Sequence, residues 1–170
     1  MDIRRIILTH GDADHIGNIS YLSEKRNCNT FISSKDLPYA KGEKKAGGIK
    51  SILGIVIKPK LPKILDELPD GWLNDIEIIE TPGHTPGHVC FKFENVLFAG
   101  DLVMSSNGKL FPSPAIVTWD KKKVLNSCKN INLNGIDFIC PAHGEPVQSN
   151  STWSQFEQKY LSCNYYYKNN

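Results

Sequence analysis

The 170 residues amount to one domain's worth of chain, enough to bury roughly 70% of the unfolded surface around a single core. Hydrophobic residues make up 40% and charged residues 22%, and no apolar run approaches the ~18 residues of a spanning helix, so the composition describes a globular chain without a membrane segment. Twenty Lys and Arg against 18 Asp and Glu leave a formal charge of +2, which gives no argument for a nucleic-acid partner.

Taken in chain order, Ile3 to Thr9 is aliphatic and β-branched and predicts a buried strand. A helix is expected from about Ile16 to Lys25, then a short strand at Thr30 to Ser33. The stretch Lys41 to Lys63 carries seven lysines against the single acid Glu43 and reads as an amphipathic excursion, either a solvated surface segment or a lid that attracts an anionic substrate. Further strands are expected at Ile76 to Glu80, Val89 to Phe93, Val96 to Ala99 and Ile136 to Cys140, with helices at Asp120 to Cys128 and Thr152 to Tyr160. This alternation predicts a layered α/β domain over residues 1–170. Five cysteines, odd in number and without a C-x-x-C pair, point to a reducing cytoplasm, with a leader on a longer native chain left open.

The chemistry-bearing residues fall at strand ends. His10, Asp12, Asp14 and His15 lie within six residues directly after the first strand. Imidazole and carboxylate concentrated on one turn suit Zn, Fe or Mn. The other three of the five histidines lie in Pro82-Gly83-His84-Thr85-Pro86-Gly87-His88 and Pro141-Ala142-His143-Gly144, each after a strand and bounded by Pro or Gly. Phe98-Ala99-Gly100-Asp101 repeats the arrangement with a carboxylate. Four loops are thus expected to converge on one sheet edge.

From Ile3 to about Val147 these motifs, in this order, make the sequence resemble the metallo-β-lactamase superfamily, whose signatures are H-x-H-x-D-H, G-H-T, G-D and a late histidine. The resemblance implies an αββα sandwich. It also implies that His10, Asp12 and His84 hold one metal, that Asp14, His15 and His143 hold a second, and that Asp101 bridges them. His88 matches a histidine that supports the ligands without binding the metal. Asp14 and Asp101 are the candidate catalytic carboxylates, Asp14 by orienting the nucleophile or passing its proton to the leaving group.

Asp12 departs from the pattern, which has histidine there. With three carboxylates and a hydroxide, a two-metal centre is formally neutral, against one net positive charge in the histidine version. Zinc is the family's usual metal, and oxygen ligands favour harder ions, so iron or manganese is expected to compete. The implied activity is hydrolysis by a dinuclear, metal-bound hydroxide acting on an ester, lactone, thioester or β-lactam-like small molecule, with a phosphodiester less favoured.

The tail after His143 is too short for the helical domain that grips glutathione in hydroxyacylglutathione hydrolases. Relatives also place several strands, roughly 50 residues' worth, before the first motif. Here that strand begins at Ile3, so the N-terminal part of the first sheet is expected to be missing. The alternative reading is therefore a metal-binding, catalytically impaired module that needs a partner, a second copy of itself or the missing strands to cover an exposed sheet.

Overall fold

The computed structural model describes residues 3–44, 60–63 and 65–162; most of the lysine-rich stretch 41–63 lies outside them, as does Cys163. The first sheet is built from three parallel strands in the order β1 (Arg5–Ile7), β2 (Asn29–Ile32), β3 (Leu65–Glu67). Between β1 and β2 run α1 (Ala13–Ile16) and α2 (Ile19–Arg26), where a single helix is expected from the sequence. Gly17 and Asn18 divide it, serving as C-cap of α1 and N-cap of α2, because both residue types are weak in helix interiors. Helix α3 (Leu37–Ala40) follows β2. Leu8, Ile16, Ile19, Ile32 and Leu37 form the small core of this layer.

The second sheet has six strands: β4 (Trp72–Leu73), β5 (Ile76–Glu80), β6 (Val89–Phe93), β7 (Val96–Gly100), β10 (Phe138–Pro141) and β11 (Val147–Gln148), in spatial order 11-10-7-6-5-4. Strand β6 is antiparallel to β5 and β7, and β10 is parallel to β7, so β5, β7 and β10 run the same way and end at one edge. Period-2 alternation sends Cys90, Leu97, Ala99 and Ile139 to the face covered by α4 (Lys121–Asn130) and α5 (Ser149–Phe156). Val124, Leu125 and Cys128 of α4 and Trp153 and Phe156 of α5 complete this larger core. Leu97 and Ile139 are fully buried, each contributing about 1.5–3 kcal/mol by leaving water. Asp120 caps α4, its Oδ1 accepting from Lys123 N at 3.0 Å.

One finding differs from the sequence reading. No strand is expected over residues 103–112, yet they form a hairpin of β8 (Val103–Ser106) and β9 (Lys109–Pro112) around Asn107-Gly108, both at positive φ as a two-residue hairpin turn requires. Phe111 packs on the larger core. On the other face of the six-stranded sheet Phe93, Phe98 and Phe138 stand 39%, 44% and 41% exposed. A cavity of about 490 Å³ lies between this face and the first sheet, lined by Ile7, Leu8, Ile76, Phe91 and Phe98 and reaching His15. Among the described residues no helix is long and apolar enough to cross a membrane.

Candidate metal centre

Each loop leaving the common edge is shaped by close backbone packing. After β1, Asp12 takes the N-cap position of α1, its carbonyl accepting from Ile16 N, yet its side chain caps no backbone group and turns to His84, with Oδ2 3.0 Å from Nε2. After β5, Gly83 (φ +145°) lies so close to Val124 of α4 that a Cβ would meet Val124 Cα at 2.7 Å, and this contact presents His84 inward. At the end of β7, a Cβ on Gly100 (φ +51°) would meet His88 Nε2 and Thr9 Cβ at 2.8 Å, so only glycine lets Asp101 enter. His143 leaves β10 beside Gly144, which packs against Ser105.

Asp101 sits where these loops meet. Its Oδ2 lies 3.4 Å from His84 Nε2, 3.5 Å from His143 Nε2 and 3.9 Å from His10 Nε2, and its Oδ1 lies 3.4 Å from His15 Nε2. Four imidazole nitrogens therefore face one carboxylate. Asp12 lies beside the inner pair, 3.8 Å from His10 Nε2. Asp14 lies beside the outer pair, 3.6 Å from His15 Nε2 and 3.3 Å from His143 Nε2.

Burial divides the cluster. His10, His84 and Asp101 are buried, whereas Asp14 and His143 are 60% and 45% exposed. Within each of the groups His10, His84, Asp101 and Asp14, His15, His143, one donor atom per residue lies within 4.8 Å of the others. The buried atoms His15 Nε2 and Asp101 Oδ1 have no hydrogen-bond partner. Buried imidazole and carboxylate left unsatisfied at such spacing is costly without a cation, so the donor set fits divalent metal. Burial pushes the Asp101 carboxyl above the ordinary carboxylate range, and His84, His15 and His143 pull it back.

His88 does not face the other donors. The Asp101 backbone N–H donates to its Nε2 at 3.0 Å, which leaves Nδ1–H to donate to Thr81 Oγ1 at 2.8 Å. The ring thereby steadies the peptide that carries Asp101. Two more residues belong here: Asp36, which has no signature in the sequence, and Thr85, the threonine of the G-H-T motif. Asp36 and Thr85 are buried between the loops, with Thr85 Oγ1 donating to Asp36 Oδ2 at 2.5 Å.

Imidazole and carboxylate donors gathered at one edge of a layered α/β sheet form a site for divalent metal, the kind of centre on which metal-dependent hydrolases are built. A sequence model of the metallo-beta-lactamase superfamily matches residues 1–143, and the chain belongs to that superfamily. The probable metallo-hydrolase YybB of Bacillus subtilis is 30% identical over 153 residues, which cover 86% of this chain and 67% of the relative. A hydroxyacylglutathione hydrolase of Klebsiella pneumoniae is 32% identical over 139 residues, covering 81% of this chain and 47% of that protein. The chain thus spans about two thirds of the first relative's length and under half of the second's. An archaeal superfamily protein from Sulfolobus tokodaii superposes with a TM-score of 0.68 at 22% identity, covering 95% of this chain and 69% of the other, and so shares the fold.

Proposed function

We propose that the chain hydrolyses an acyl ester or thioester at a centre of two divalent ions, one held by His10, Asp12 and His84 and the other by Asp14, His15 and His143, with Asp101 shared. The convergence of four Nε2 atoms on the Asp101 carboxylate, all within 3.9 Å, carries this reading. Such ions, when bound, supply Lewis acidity toward a carbonyl oxygen and bring the ionisation of water near neutral pH. Asp14, the most exposed carboxylate of the cluster, would take a proton on the carboxylate and return it to the departing oxygen or sulfur. Support for acyl chemistry comes from the Klebsiella relative, whose name makes a hydroxyacylglutathione its substrate.

The test is elemental analysis of chain purified without chelator, followed by hydrolysis of a generic ester and a generic thioester. Two equivalents of metal per chain are expected, with activity lost on chelation and restored by metal. One equivalent or none would overturn the two-ion centre. Because Asp12 supplies oxygen where the family pattern has imidazole, iron or manganese is expected beside zinc. A pure dizinc preparation would remove that role from Asp12.

A second reading, a module completed by a second copy of the chain, is favoured by the exposed row of Phe93, Phe98 and Phe138. It predicts a dimer mass by light scattering, and a monomer for Phe98→Asp. A wild-type mass that stays monomeric at all concentrations would overturn it.

A further inference from the structure

The carboxylate of Asp36, 1% exposed, accepts no hydrogen bond from a Lys or Arg side chain among the described residues. Its hydrogen bonds go instead to the two loops that carry the buried donors. Oδ2 accepts from Gly11 N at 3.2 Å, and Gly11 lies between His10 and Asp12. Oδ2 also accepts from Thr85 Oγ1 at 2.5 Å, and Oδ1 accepts from Gly87 N at 2.6 Å, which brackets the segment after His84. The fit is close on both sides: a Cβ on Gly87 would meet Asp36 N at 2.6 Å and Asp36 Oδ1 at 2.9 Å, and a Cβ on Gly11 would sit 3.4 Å from Ala40 and Ile32. Asp12 and Asp101 also reach across, Asp12 Oδ2 lying 3.0 Å from His84 Nε2, but both belong to the donor set itself, whereas Asp36 joins the loops from outside it. His15 has a separate anchor, since the neighbouring Ile16 is buried in the smaller core, and His143 hangs from β10.

We propose that Asp36 is a positioning residue: by fastening the His10–Asp12 loop to the His84 loop, its carboxylate sets the spacing of the inner donor group and leaves the outer group to other supports. This rests on the two-ion reading above. An ionised carboxylate is the side chain that can accept from two backbone N–H groups and a hydroxyl at once without presenting a donor of its own. Asparagine would place an NH₂ opposite one of those N–H groups. Thr85 can turn its hydroxyl to meet the amide, but Gly11 N–H cannot turn, so the His10–Asp12 loop is the one released.

The experiment measures zinc affinity of the full chain by chelator competition in two parents, His143→Ala, which keeps the inner group, and His84→Ala, which keeps the outer. Asp36→Asn is expected to weaken zinc by about 10–100-fold in the first parent, the range for losing a partner that orients a metal ligand, and by less than about threefold in the second. Thr85→Val should give a smaller loss in the first parent only, and Thr85→Ser, which keeps the hydroxyl, should restore wild-type affinity. These threonine variants carry the test if Asp36→Asn lowers the melting temperature of the metal-free chain. Equal losses in both parents, or no loss in the first, would overturn the positioning role while leaving the centre intact. Failure of the unsubstituted chain to bind zinc would overturn the centre itself.

Discussion

Asp101→Ala is expected to reduce bound metal from two equivalents to at most one and to lower kcat/KM for ester hydrolysis by at least about a thousandfold, about 4 kcal/mol of lost transition-state stabilisation. The size of the effect follows from position. Asp101 faces His10, His84 and His143 through one oxygen and His15 through the other, so no neighbouring carboxylate can replace it for both groups. Asp12 lies beside the inner histidines and Asp14 beside the outer ones. The loss should not come from unfolding. The Asp101 backbone N–H that donates to His88 survives the substitution. Alanine also removes a carboxylate whose charge is disfavoured by burial, so the metal-free variant should melt no lower than the metal-free parent at pH 7. Retention of two metals by the variant would remove Asp101 from the shared position. A lower melting temperature of the metal-free variant would assign its role to the fold.

Gly83→Ala is the second large effect, and it acts through the backbone. A Cβ there overlaps Val124 N and meets Val124 Cα and Cγ2 at 2.7 Å, at a φ of +145° that side chains rarely adopt. Overpacking of this kind and the strained backbone together cost about 3 kcal/mol or more. For a chain of this size that corresponds to a melting temperature lower by roughly 6–12 °C. Gly108→Ala is the control, because its φ of +70° is also positive but nothing lies within 4 Å of the added Cβ, so only the backbone cost of about 1–2 kcal/mol applies. Relief of the clash requires α4 to move outward, and α4 is tied to the His84 loop by Asp120 N–H donating to the Gly83 carbonyl at 2.9 Å. Metal affinity should therefore fall with stability in Gly83→Ala and hold in Gly108→Ala. Equal changes in the two variants would show that the contact with α4 does not set the position of His84.

The residues of the central strands announced themselves. Ile76–Glu80 and Val89–Phe93 have the expected bounds because short aliphatic and aromatic segments are closed off by nearby Gly, Pro and Asn, and the strand at Val96–Gly100 extends its expectation by one residue. The hairpin of β8 and β9 was equally legible, through Asn107-Gly108 between two short segments with apolar residues, yet no strand is expected there in the sequence reading. Strands β3, β4 and β11 carry two or three residues each, too few for a period to declare itself; their pairing partners make them strands.

The candidate centre divides along the same line. His10, Asp12, Asp14, His15, His84, Asp101 and His143 could be singled out from the sequence because each sits in a short motif after a strand, and local chemistry at fixed spacing survives in one dimension. Which donors face one another was implied only by the family resemblance, because spacing along the chain does not carry it. The inner and outer grouping arises from β5, β7 and β10 ending at one edge and from the burial that their order imposes. Asp36 is the extreme case: a lone aspartate between Lys35 and Leu37 has no pattern, and it acquires its place only when folding brings Gly11, Thr85 and Gly87, 25 to 51 residues away, to its two oxygens. The chain's residue types determined the chemistry available, and tertiary packing decided its arrangement, since hydrogen bonds and donor distances depend on separation in space and not along the chain.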